Sequence, residues 1–105
     1  MSFASVEEAH MRAVSAVSSY YEKKQSGIES DIKTLRSIEG VLMQAETAYM
    51  AWNTADLLNA KAKGMSEGAA RYLDQHFSQY IISELREVLK EISSERKKVE
   101  KTARN

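Results

Sequence analysis

Proline is absent from all 105 residues of this chain, and only four glycines interrupt it. Average usage would place roughly five prolines in a chain of this length. A proline inside a helix costs about 3 kcal/mol, because it removes a donor and clashes with the preceding turn. A chain without any is free to build long uninterrupted helices. Strands find no support, since no β-branched alternation and no short glycine-bounded runs occur. The fold class expected is all-α.

The helices can be placed from caps and periodicity. Ser5 with Glu8 makes a capping-box pattern. After it Val6, His10, Ala13, Val14, Val17, Tyr20 and Tyr21 recur at three- and four-residue spacing, which predicts helix 1 over about 5–25. Ser26 with Glu29 reads as a second capping box, opening helix 2 over about 27–63. Its stripe is Ile28, Ile32, Leu35, Ile38, Val41, Leu42, Ala45, Tyr49 and Trp52. Lys63-Gly64 suits a helix end, and Asn53-Thr54 with Asp56 suits a kink near residue 53. Ser66 caps helix 3, expected over about 66–100 and frayed beyond Lys98.

Folding helices 2 and 3 back about Gly64-Met65 sets Tyr49 against Tyr80, Trp52 against Phe77, Ala45 against Leu85, Leu42 against Val88 and Val41 against Leu89. Apolar residues then meet at each level, as interdigitated packing requires. Folding helix 1 about Ser26 sets Val17 near Leu35, Val14 near Ile38 and Phe3 near Tyr49. The expected architecture is one domain, 1–105: an elongated three-helix bundle with a short helix 1 on a long antiparallel hairpin. At 1.5 Å per residue helix 1 spans about 30 Å, against about 55 Å for each hairpin helix.

Composition narrows the function classes. The 15 basic and 15 acidic side chains leave no net charge to draw the chain onto nucleic acid or anionic lipid. Without cysteine there is no disulfide, thiolate zinc site or thiol nucleophile. The start, MSFASVEEAHMRAV, lacks the basic and apolar regions of a signal peptide, and no stretch of about 18 apolar residues occurs. The expected address is the cytoplasm, although leaderless secretion would leave the same sequence.

Catalytic and metal chemistry find little to work with. Glu7 and His10 share a helical face at the spacing used twice in di-iron bundles, but the chain has only one such pair. His76 and Asp74 lie two apart on a helix and do not face each other. No nucleophile elbow or phosphate-binding glycine loop is present. The chain is therefore read as no enzyme, with no catalytic residue, cofactor or metal. The stretch 95–104 carries five basic and two acidic residues and supplies the alternative reading, a nucleic-acid-associated regulator. No aromatic lies there to stack on bases.

The remaining feature is aromatic. If helix 1 ends short, Trp52, Leu57, Leu58, Tyr72, Leu73 and Phe77 form an uncovered apolar end, and such patches mark interfaces. These six are the expected partner-binding residues. The length and the single mid-chain Trp resemble small exported helical-hairpin proteins with a Trp-x-Gly turn. This chain reads Trp52-Asn53-Thr54 there, without glycine and within a helix, so no family follows. The function expected is a non-enzymatic protein–protein interaction module, such as an adaptor, small chaperone or assembly subunit. It would self-associate, most simply as a coiled-coil-like homodimer, or dock a partner helix through the 52–77 end.

Overall fold

The structure, a computed structural model, describes residues 3–51 and 80–104. Three helices account for nearly all of them, and no strand occurs among the described residues. They are α1 (Phe3–Gln25), α2 (Ile32–Ala51) and α3 (Ile81–Arg104). The all-α class is thus observed. The expected kink near 53, the turn at Gly64 and the cap at Ser66 lie outside the described residues.

The first inter-helix connection differs from the expected one in an instructive way. Ser26 does not open helix 2; it belongs to the end of α1. The Ile28 amide donates to the Lys23 carbonyl at 2.8 Å and the Gly27 amide to the Lys24 carbonyl at 3.1 Å. This is the paired bonding of a Schellman cap, with Gly27 at φ +76° in the left-handed position that glycine occupies without steric cost. α2 starts later, at Ile32. Asp31 is its N-cap, its Oδ1 accepting the Thr34 amide at 2.7 Å and its carbonyl accepting the Leu35 amide at 3.0 Å. These bonds stabilise the ionised carboxylate and hold the Asp31 pKa below its usual value. Similarly α1 begins at Phe3, so Ser5 is an early helical residue rather than the cap.

The longer connection moves the register. Tyr49 was expected opposite Phe3, but it meets His10, two turns further along α1: the His10 Nδ1–Tyr49 Oη separation is 2.5 Å. Residues 3–9 of α1 therefore continue about 10 Å past the level of Tyr49.

α2 is the middle member, packed against α1 on one flank and α3 on the other. Val6, Leu35, Leu42 and Ile92 are fully buried, joined by Ala13, Tyr20, Ile38, Ala45, Ala48, Tyr49 and Leu85. Burying one large aliphatic side chain stabilises by about 1.5–3 kcal/mol. α3 runs antiparallel to α2, pinned along its length by Arg86–Glu46 at 3.3 Å, Arg96–Glu39 and Arg36–Glu100 at 2.7 Å. Tyr80, expected to face Tyr49, precedes the first turn of α3 and is 60% exposed. At the other end α3 does not fray at Lys98 but stays helical to Arg104, with Arg96 and Glu100 locked one turn apart at 3.1 Å.

Two glycines of the first two helices should respond oppositely to alanine. Gly27→Ala forces a Cβ into the left-handed region and should lower unfolding free energy by about 1–2 kcal/mol. At Gly40, inside α2, an added Cβ meets nothing within 4 Å, so Gly40→Ala should raise it by up to about 1 kcal/mol. Urea unfolding midpoints read both; equal signs would contradict the assigned roles.

Candidate functional site

Because α1 and α3 both run antiparallel to α2, they run parallel to each other across it. Near one end they are tied together. The Tyr21 hydroxyl donates to Glu91 Oε2 at 2.5 Å, and Lys24 Nζ donates to Glu91 Oε1 at 3.2 Å. These bonds favour the charged Glu91, holding its pKa below the usual carboxylate value. They disfavour loss of the Tyr21 proton, and its pKa is pushed up to about 12.

Further toward the N-termini of both helices this tie is missing and a groove of about 230 Å³ opens between them. Leu42 and Tyr49 of α2 form its floor. Val14 and Val17 line the α1 wall, and Ile81, Leu85 and Val88 the α3 wall. His10 and Ser18 add polar edges, and Glu84 is the charged residue among the described lining. Val14, read from periodicity as part of the core stripe, is 49% exposed here. A depression on the other flank of α1 carries Glu7, Glu8 and Arg12 beside Met11, Ala16 and Val41.

Several sequence candidates can be placed. His10 is buried and engaged by Tyr49. No group of three or more acidic, histidine or cysteine side chains suited to a metal occurs among the described residues. The C-terminal basic stretch is partly committed: Arg96 bridges Glu39 and Glu100, and Glu100 also takes Arg36. Both partners favour the charged guanidinium and raise its pKa. Lys97, Lys98 and Lys101 are exposed. The six expected partner-binding residues, Trp52, Leu57, Leu58, Tyr72, Leu73 and Phe77, lie outside the described residues, as does His76. No described helix is long and apolar enough to cross a membrane.

Sequence reasoning missed the groove. Its signal was the width of the helix 1 stripe. Val14 and Val17 sit beside His10, Ala13 and Tyr20 in an apolar arc too broad for a single neighbouring helix to cover. No family model, curated protein or solved structure matches the chain.

The Tyr21–Glu91 tie predicts a stability window with two edges. Glu91, with its pKa lowered on folding, contributes above the usual carboxylate value of about 4.3 and loses that contribution as pH falls below it. Tyr21, with its pKa raised, contributes fully below about 10 and loses that contribution as pH climbs toward 12. Urea midpoints across pH should therefore decline more gently at both edges in Tyr21→Phe than in the parent chain. Superimposable profiles would rule the tie out as a source of stability.

Proposed function

We propose that this chain is a non-enzymatic protein–protein interaction module that self-associates or docks a partner helix at one end of its bundle. An adaptor, a small chaperone or a subunit of a larger assembly would each work in this way. The observation that supports the reading is the open apolar groove between α1 and α3. Covering such a surface is favourable by about 25 cal/mol per Å² of apolar area. Two helical walls over a helical floor leave a corner shaped for another helix.

The groove opens at the end from which the chain leaves α2 at Ala51 and returns at Tyr80. The candidate residues Trp52, Leu57, Leu58, Tyr72, Leu73 and Phe77 belong to the segment between those points. A long helix 2–helix 3 hairpin carrying them would extend the apolar surface from the groove onto the 52–77 end. In this reading a homodimer is the simplest assembly, and the cytoplasm the working address. Nucleic-acid association through the C-terminal helix is the weaker alternative, because Arg96 is already held by two carboxylates.

The test is assembly. Trp52→Ala with Phe77→Ala should lower the oligomeric mass by light scattering, or release a co-purifying protein partner, with helical circular dichroism retained. Unchanged mass and unchanged partner retention in that variant would overturn the proposed surface.

A further inference from the structure

The heptad spacing of α1 and α3 carries information about what the groove accepts. Residues seven apart on a helix share nearly the same face. Seven residues before Glu91 stands Glu84, and seven before Tyr21 and Lys24 stand Val14 and Val17. α3 thus presents the same acid to α1 twice. At Glu91 it is met by a hydroxyl and an ammonium from α1. At Glu84 the equivalent α1 positions are valines, and the gap is open. Glu84 is exposed on the groove wall and makes no ion pair or side-chain hydrogen bond among the described residues.

We propose that the groove binds an amphipathic helix of a partner protein that brings its own lysine or arginine to Glu84. The partner's cation would take the role that Lys24 plays at Glu91. Its apolar face would rest on Val14, Val17, Leu85 and Val88. The charge argument selects this occupant: the floor and walls are apolar, and the charge among them is a carboxylate whose internal counterpart already shows which group it pairs with. Helical shape follows from the corner itself, since α1 and α3 flank α2 as the diagonal pair does in a four-helix bundle. An incoming helix fills the fourth position.

This inference rests on the interaction-module reading and narrows it to one site and one chemistry. The probe is a pair of synthetic amphipathic peptides of about four helical turns, with leucines on one face. One carries a single lysine flanking that face, the other a glutamate at the same position. Binding to the full chain is followed by the methyl NMR signals of Val14, Val17, Leu85 and Val88. The lysine peptide should shift these methyls and bind about tenfold more tightly than the glutamate peptide. In Glu84→Lys that preference should reverse.

Val14→Tyr, which places a tyrosine at the heptad equivalent of Tyr21, should weaken binding of the lysine peptide. Its melting temperature should be unchanged or raised, because Val14 is already half exposed. Equal binding of both peptides, or a preference that Glu84→Lys leaves alone, overturns the cation pairing. No methyl shift with either peptide at about millimolar concentration overturns the groove as a docking site. The Trp52 and Phe77 assembly measurement then decides the broader reading independently.

Discussion

The register of α1 on α2 governs everything else described in this bundle, and it is set by six residues of backbone between Gln25 and Ile32. Gly27 ends one helix by turning left-handed, and Asp31 starts the next by accepting the Thr34 amide. Between these two caps the chain has no freedom to begin α2 one turn earlier. With α2 started at Ile32, His10 arrives at Tyr49. Had the second helix begun at 27, the two would have paired two turns out of step.

Packing and charge divide the work between the two flanks of α2. Toward α1 the contact is made by small and aromatic side chains, Ala13, Tyr20, Ala45, Ala48 and Tyr49 among them, with the His10–Tyr49 contact buried at its edge. Toward α3 the apolar contact is Leu85 and Ile92 with their neighbours, and carboxylates of α2 hold arginines of α3 beside it. Arg86–Glu46 is a surface pair of the kind that contributes only about 0–1 kcal/mol, whereas Arg96–Glu39 is partly buried. Their effect lies in orientation: they favour the antiparallel alignment of α3, and the network joining Glu39, Arg96, Glu100 and Arg36 keeps its last turns helical.

The sequence made some of this legible and concealed the rest for definite physical reasons. The all-α class, the end of helix 1 at residue 25 and the apolar faces of α2 and α3 follow from proline absence and periodicity, which report local geometry. The register does not follow, because a slip of seven residues leaves every side chain on the same face. The stripe containing Val6, His10, Ala13 and Tyr20 therefore looks identical at either register. The choice was made by a misread cap, since Ser26-x-x-Glu29 satisfies the capping-box pattern while the glycine between them serves the preceding helix. The groove was hidden for a related reason. Val14 reads as core by spacing, and only the divergence of α1 from α3 leaves it exposed.

The parallel course of α1 and α3 has a further electrical consequence. Each helix carries a macrodipole with roughly half a negative charge at its C-terminus, and here two such termini are brought to the same end of the bundle. Lysines stand where that partial charge accumulates, Lys23 and Lys24 in the last turn of α1 and Lys97, Lys98 and Lys101 along the end of α3. The N-terminus of α2 enters between them with Asp31 as its anion. The cationic tail that stands out in the linear sequence thus stands where two helix dipoles place their partial negative charge.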